Sequence, residues 1–78
     1  MKIKLVIVTP EKKIFTGEVH SVRLPGAEGP FEVFPNHAPI ISWLEKGPVT
    51  YNTGVSTQTL AIDNGLAIVK ENKVTVLI

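Results

Sequence analysis

The sequence predicts an all-β protein, an antiparallel β-sandwich of about ten short strands, on three grounds. The β-branched residues Val, Ile and Thr make up 25 of the 78 positions, and these side chains favour strands. Gly and Pro occur six times each and are spread evenly, so few windows have room for a long helix. Short apolar runs alternate with turn signals, which is typical of a sandwich or barrel. We therefore expect no helix longer than about one turn.

The first two strands follow from the apolar period. Ile3–Val8 places apolar side chains at every second position, as in a strand with one buried face. Residues 9–13 form a hairpin turn in which Pro10 occupies a favourable position. Residues 14–24 are predicted to form a second, longer strand. The apolar phase of this strand changes near its middle, which predicts a β-bulge at residues 20–21.

The rest of the chain divides into short strands, loops and tight turns. Loops rich in Gly and Pro are predicted at residues 25–30, 35–39 and 45–48. Tight turns containing Asn are predicted at residues 52–54, 64–65 and 71–72. The strands between these breaks are predicted at residues 31–34, 40–44, 49–51, 58–62, 66–69 and 74–78.

Composition and charge bound the possible functions. A chain of 78 residues is one small domain spanning residues 1–78, and no linker or repeat divides it. The formal net charge of +1 gives no electrostatic case for nucleic acid or an anionic membrane as a direct ligand. There is no Cys, which excludes disulfides, thiolate catalysis and cysteine-based zinc sites. The apolar runs fall far short of the ~20 residues needed to span a bilayer, and the N-terminus does not resemble a signal peptide.

The ionisable side chains offer no catalytic constellation. Asp63 is explained by the adjoining turn, and Glu28 and Glu32 make a poor carboxylate pair. His20 and His37 lack metal-ligand spacing, so no catalytic residue, metal site or cofactor is predicted. One interpretation makes His37 a catalytic base. In the favoured one its ring satisfies loop backbone groups or meets a partner protein, because no nucleophile or orienting acid accompanies it.

Two further features have competing interpretations. The glycines at positions 26 and 29 suggest a phosphate-binding loop, but the G-x-x-x-x-G-K-[ST] pattern is missing and Pro30 stands where a helix would begin. We interpret this segment as a turn. Trp43 is the only Trp and lies in a nearly continuous apolar run. It is either a core residue or an anchor for a partner protein, and the sequence leaves both interpretations open.

The middle of the chain resembles a known family. The residues that carry the resemblance are Glu18, Val19, Val22, Leu24, Pro25, Gly26, Glu28, Gly29, Phe31, Val33, Pro35, His37, Ala38, Pro39, Leu44 and Gly47. Their types and spacing resemble the N-terminal domain of the epsilon subunit of F-type ATP synthase, in which an E-G block is followed by P-x-H-A-P. The flanking hairpins agree, so the resemblance covers essentially the whole chain. Glu32 departs from the family pattern, which usually has Gly there.

The resemblance implies a role and partners. It implies a non-catalytic β-sandwich subunit of the rotor central stalk in a proton-translocating ATP synthase. This subunit couples the gamma subunit to the membrane ring of c subunits during ATP synthesis and binds no nucleic acid. The expected c-ring contacts are the loop residues Glu28, Gly29, Pro30, Phe31, His37 and Ala38, all at one end of the sandwich. The expected gamma-subunit contacts are Ile40, Ile41, Trp43 and Leu44.

The resemblance also implies peripheral attachment to the cytoplasmic face of the bacterial inner membrane, through the complex alone. Family members commonly continue into a C-terminal helical hairpin that restrains ATP hydrolysis and can bind ATP. This sequence contains no such hairpin, so neither ATP binding nor inhibition by helical insertion is expected of it. The alternatives are an unrelated β-sandwich adaptor that binds a protein or peptide by an exposed edge and, more remotely, a small hydrolase using His37.

Overall fold

The computed structural model describes residues 1–78 and contains two β-sheets packed around one apolar core. The nine strands are β1 (Ile3–Val8), β2 (Lys13–Val19), β3 (Ser21–Leu24), β4 (Phe31–Val33), β5 (Ile40–Leu44), β6 (Gly47–Asn52), β7 (Thr57–Ile62), β8 (Gly65–Lys70) and β9 (Lys73–Leu77). Sheet A has the strand order β2-β1-β9-β8-β5, and sheet B has the order β4-β3-β6-β7. The predicted all-β sandwich is confirmed. The structure contains no helix of the length and apolarity needed to cross a bilayer.

The inward-facing side chains of both sheets form the core. In β1, Ile3, Leu5 and Ile7 are buried and the residues between them are more exposed, which is the alternation of a strand with one buried face. The core cluster contains 14 residues, all of them apolar: Ile3, Leu5, Ile7, Val19, Val22, Leu24, Val33, Leu44, Val49, Ile62, Ala67, Val69, Val74 and Val76. No polar or charged residue is buried.

The single long strand predicted at residues 14–24 is wrong. Two strands occupy this segment, and they belong to different sheets, with β2 in sheet A and β3 in sheet B. The chain changes sheets at His20, whose backbone N–H donates to the carbonyl oxygen of Asn52 at 2.7 Å. When a chain passes from one sheet to another, the positions of its inward-facing residues shift by one, as they do at a β-bulge. This explains why the alternation of apolar residues in this segment changes near its middle. A register irregularity does occur in this hairpin, but it lies between Ile7 and Val8 of β1.

The first and last strands lie side by side. β1 pairs with β9 in parallel, with Val8 opposite Leu77, whereas every other strand pair is antiparallel. The sandwich departs from the expected antiparallel pattern at this pair alone. A parallel pair needs a long crossover connection, and all the strands between β1 and β9 in the sequence form that connection.

Two of the three predicted tight turns join hairpins, between β6 and β7 and between β8 and β9. The tight turn predicted at residues 64–65 is wrong, because Gly65 begins β8 and the chain crosses there from sheet B to sheet A. Glu71 and Asn72 both have positive φ, 52° and 59°, the pattern of a two-residue type I′ hairpin turn. β6 and β7 are joined at residues 53–56, where the backbone N–H of Thr53 donates to the carbonyl oxygen of Ser56 at 2.9 Å. Glu32 lies opposite Arg23 on β3. This cross-strand pairing of opposite charges stabilises a sheet.

Candidate protein-binding surfaces

The structure assembles no group of three or more His, Cys, Asp or Glu side chains that could hold a metal ion. His37 is half-buried in the β4–β5 loop, and its Nδ1 donates to the carbonyl oxygen of Ala38 at 2.7 Å. Asp63 is exposed in the connection before β8. This placement of His37 agrees with the interpretation in which its ring satisfies backbone groups of its own loop.

The outer face of sheet A is apolar. One row across β1, β9, β8 and β5 consists of Val6, Thr75, Ile68 and Ile41. The next row, in the same strand order, consists of Val8, Leu77, Leu66 and Trp43. These residues are out of phase with the buried positions of their strands, so their side chains point away from the core. We call the set without Thr75 the outer apolar face: Val6, Val8, Ile41, Trp43, Leu66, Ile68 and Leu77.

Sheet B shows the opposite character on its outer face. One row across β4, β3, β6 and β7 consists of Glu32, Arg23, Thr50 and Thr59. On sheet A, by contrast, Trp43 is 71% exposed and Ile41 is 70% exposed. Antiparallel sheets with one solvated face normally place polar side chains there, and a contiguous exposed apolar patch marks an interaction site. Sheet A is therefore the side on which a partner is expected.

The gamma contacts expected from the sequence divide between this face and the core. Ile41 and Trp43 belong to the outer apolar face, and Ile40 is 38% exposed at the start of β5. Leu44 is only 4% exposed and belongs to the core cluster. Leu44 is therefore corrected from a surface contact to a core residue, because alternation along β5 turns it inward where Trp43 turns outward. For Trp43 the structure excludes the core interpretation.

The β3–β4 loop carries the first group of expected ring contacts. Glu28, Gly29 and Pro30 are exposed, whereas Phe31 is half-buried and packs against the core. Gly26 lets the loop close tightly, because a Cβ atom there would lie 2.5 Å from the carbonyl oxygen of Gly29 and 2.9 Å from the Phe31 ring. Gly29 has a φ of 129°, in the region that glycine tolerates and other residues rarely adopt. Gly26 is thus required by close packing within the loop, and Gly29 by its backbone conformation.

The β4–β5 loop carries the second group, His37 and the exposed Ala38. Asn72, in the β8–β9 turn, holds this loop in place. Its side-chain oxygen accepts a hydrogen bond from the backbone N–H of Asn36 at 2.9 Å. Its side-chain amide donates to the carbonyl oxygen of Lys2 at 2.8 Å. One side chain therefore fastens the loop both to the hairpin turn and to the start of β1.

The expectation that these two loops lie at one end of the sandwich stays a prediction. The β3–β4 loop meets β5 at its last residues, through a bridge between Gly26 and Leu44 and a 2.8 Å hydrogen bond from the N–H of Ala27 to the carbonyl oxygen of Trp43. The β4–β5 loop enters β5 at Ile40. Glu28, Gly29 and Phe31 also line one groove with Ile40 and Ile41, the first residues after the β4–β5 loop.

Comparison with known proteins identifies the family. Residues 2–78 match the family model described as the β-sandwich domain of the ATP synthase delta/epsilon chain. The chain belongs to this family. Epsilon chains are non-catalytic stalk subunits of the ATP synthase complex.

Relatives of this epsilon-type chain differ in how much of their length it covers. It is 42% identical over 76 residues to the ATP synthase epsilon chain of Caulobacter vibrioides, covering 97% of this chain and 88% of that one. It is 46% identical to the epsilon chain of Syntrophobacter fumaroxidans and 36% identical to that of Leptospira interrogans, covering 97% of this chain in each case. The chain spans only 57% and 60% of the length of these two relatives.

Solved structures share the fold at low sequence identity. A chain of the Euglena gracilis mitochondrial ATP synthase, in a structure of OSCP/F1/c-ring, is similar with a TM-score of 0.91 and 20% identity, covering 97% of this chain and 49% of that one. A chain in the central stalk/c-ring structure of Tetrahymena thermophila mitochondrial ATP synthase is similar with a TM-score of 0.84 and 14% identity. That match covers 99% of this chain and 63% of that one.

Sequence reasoning found one edge of the outer apolar face and missed the rest. The residues missing from the predicted contacts are Val6, Val8, Leu66, Ile68 and Leu77. The signal that could find them lies in β8, where Leu66 and Ile68 are apolar at outward positions while Ala67 and Val69 are buried. A nearly continuous apolar run indicates a strand that is covered on both faces.

Proposed function

We propose that this epsilon-type chain is a non-catalytic rotor subunit of a proton-translocating F-type ATP synthase, coupling the gamma subunit to the membrane c ring during ATP synthesis. The observation that carries the proposal is the outer apolar face, on a chain of this family. Coupling of this kind needs a stiff body bound on two sides, and no reaction chemistry. Two hydrogen-bonded sheets sharing one fully apolar core meet that need.

The outer apolar face is the proposed binding surface for the gamma subunit. It extends over four neighbouring strands of sheet A, whose hydrogen bonds hold its side chains in fixed relative positions. Covering the largely exposed Trp43 and Ile41 removes apolar surface from water, which stabilises the complex by about 25 cal/mol per Å². A rigid sheet also loses little conformational entropy when it docks. Trp43 is the natural anchor, because Trp is enriched among the residues that dominate binding energy.

The side of the sandwich bounded by β4 and β5 is the proposed binding surface for the c ring. Residues 28–31 lie in and just after the β3–β4 loop, and His37 and Ala38 lie in the β4–β5 loop. Glu28, Gly29 and Phe31 line one groove with Ile40 and Ile41, where the β4–β5 loop ends, which supports a single partner surface for both loops. Phe31 contributes by anchoring its loop to the core, and Asn72 anchors the other loop. Loops that are already ordered lose little entropy on binding.

Attachment to the membrane is proposed to occur through the complex alone. The relatives are epsilon chains of bacterial ATP synthases, and the similar solved structures include the c ring. On this basis the chain is peripheral, on the cytoplasmic face of the bacterial inner membrane. Its own net charge of +1 provides little attraction to anionic lipids.

Reconstitution tests the proposal. Membranes carrying the matching ATP synthase without epsilon are supplied with the wild-type chain, with Ile41→Asp, or with the control Thr59→Asp on the polar face of sheet B. The wild type and the control should co-purify with gamma and the c ring and restore ATP-driven proton pumping. Ile41→Asp should fail to bind, because an unpaired carboxylate buried in a protein contact costs several kcal/mol.

Two outcomes would count against the proposal. Normal pumping with Ile41→Asp would contradict the assignment of the outer apolar face to gamma. Failure of the wild-type chain to co-purify with any rotor subunit would contradict the rotor role.

A further inference from the structure

A row of lysines borders the outer apolar face at one end of sheet A. Lys4 of β1 lies opposite Lys73 of β9, and Lys73 lies opposite Lys70 of β8. Along each strand the lysine alternates with the buried residues, so its side chain lies on the same outer side of sheet A as the outer apolar face. We call these residues the lysine row. It lies two residues along each strand from the nearest row of the outer apolar face.

Carboxylates of the same chain compensate this charge only in part. Glu18 lies opposite Lys4 across the β1–β2 pair, and such an opposite-charge pair is favourable. Glu71 is in the turn between Lys70 and Lys73, and it lines the same shallow groove as these two lysines. Lys70 and Lys73, however, lie directly opposite each other, and like charges in that position destabilise a sheet. The chain thus keeps an unfavourable pair at the border of its apolar face.

The groove beside this pair continues into the outer apolar face. It is lined by Ile68, Lys70, Glu71, Lys73 and Thr75, so any partner that covers Ile68 also meets the two ammonium groups. None of the side-chain hydrogen bonds in the chain uses these ammonium groups. A partner without carboxylates at this position would desolvate both charges and leave their repulsion unrelieved, which is costly.

We propose that the lysine row receives an acidic segment of the partner, with carboxylates facing Lys70 and Lys73. The inference rests on the proposed function, because it takes the gamma subunit to be the partner that covers the outer apolar face. Charge complementarity carries it: two adjacent ammonium groups are matched by carboxylates, and the match removes the repulsion between them. The lysine row borders only one end of the outer apolar face, so the contact also fixes the orientation of the partner on that face.

The experiment measures binding of the isolated gamma subunit of the same enzyme to the epsilon-type chain, at about 0.05 M and 0.5 M salt. Reversing both charges, in Lys70→Glu with Lys73→Glu, should slow association about tenfold at low salt and remove most of the salt dependence. Lys73→Glu alone should give a smaller loss. Its matched control is Lys46→Glu, an equal charge change in the exposed β5–β6 connection, which should bind like the wild type. The double variant with Arg at positions 70 and 73 should also bind like the wild type.

Each result separates this inference from the proposed function. Trp43→Ala is measured in parallel, since it tests the apolar contact alone. If Trp43→Ala weakens binding while the double charge reversal leaves both the rate and the salt dependence unchanged, the acidic contact is refuted and the gamma assignment stands. If Trp43→Ala has no effect either, the gamma assignment itself fails. If charge reversal weakens binding to the c ring and not to gamma, the choice of partner for the lysine row is refuted.

Discussion

Replacing Trp43 by alanine is expected to weaken binding to the gamma subunit while leaving the fold almost unchanged. Trp43 is 71% exposed in the free chain. An aromatic side chain of this size offers about 200 Å² of surface, so roughly 140 Å² of Trp43 is available for a partner to cover. At about 25 cal/mol per Å² the complete burial of that area is worth ~3.5 kcal/mol. Part of this is offset by ordering of the side chain, which leaves about 2 kcal/mol, or ~30-fold in Kd.

The neighbouring residue provides the control. Leu44 is 4% exposed and points into the core, so Leu44→Ala should cost about 2–5 kcal/mol of folding free energy. In a domain of this size that loss lowers Tm by about 10–30 °C. Trp43→Ala should leave Tm within a few degrees of the wild type. Titration calorimetry with the gamma subunit gives Kd for each variant, and thermal melts of the free chain give Tm.

Tm and Kd together show whether Trp43 belongs to the core or to the gamma interface. A large fall in Tm for Trp43→Ala would show that Trp43 supports the core, and would refute the reasoning from its exposure. An unchanged Kd together with an unchanged Tm would show that Trp43 lies outside the interface.

Three further predictions concern the loops. Asn72→Gly keeps a backbone that tolerates positive φ but removes both side-chain hydrogen bonds. Thermal melts should therefore show a loss of about 1–2 kcal/mol in the free energy of unfolding. An unchanged melt would refute the role of Asn72 in fastening the β4–β5 loop. Gly26→Ala should cost about 1–3 kcal/mol because its Cβ would crowd the Phe31 ring, and a neutral result would contradict the tight closure of that loop. His37→Asp and Pro30→Asp should each reduce ATP-driven pumping in reconstituted membranes while gamma binding is kept; if only one does so, a ring contact spanning both loops is wrong.

The strands themselves could be predicted because their signals are local. The alternation in Ile3–Val8 and the turn at residues 71–72 depend only on neighbouring residues, and the structure confirms both. The corner at His20 could not be recognised, because a bulge and a change of sheet shift the apolar phase in the same way. They differ only in which distant strand pairs with the segment. The parallel pairing of β1 with β9 is equally non-local.

The candidate surfaces could be predicted only in part, because the pairing of distant strands decides which face of a strand is buried. A run such as Ile40, Ile41, Trp43 and Leu44 contains apolar residues at both phases, so the sequence does not reveal which of them face the core. Pairing of β5 with β8 fixes the phase and separates Trp43 from Leu44.

In the proposed function the rotor covers sheet A, and not sheet B. Since the chain has no Cys, single cysteines can be introduced and labelled without background. Thr75→Cys lies in the middle of the outer face of sheet A, and Thr59→Cys lies on the outer face of sheet B. Maleimide labelling of each variant is compared between the free chain and the assembled enzyme. Labelling of Thr75→Cys should become at least about tenfold slower on assembly, with little change for Thr59→Cys. Equal labelling of Thr75→Cys in both states, or protection of Thr59→Cys alone, would contradict the assignment of sheet A to the rotor contact.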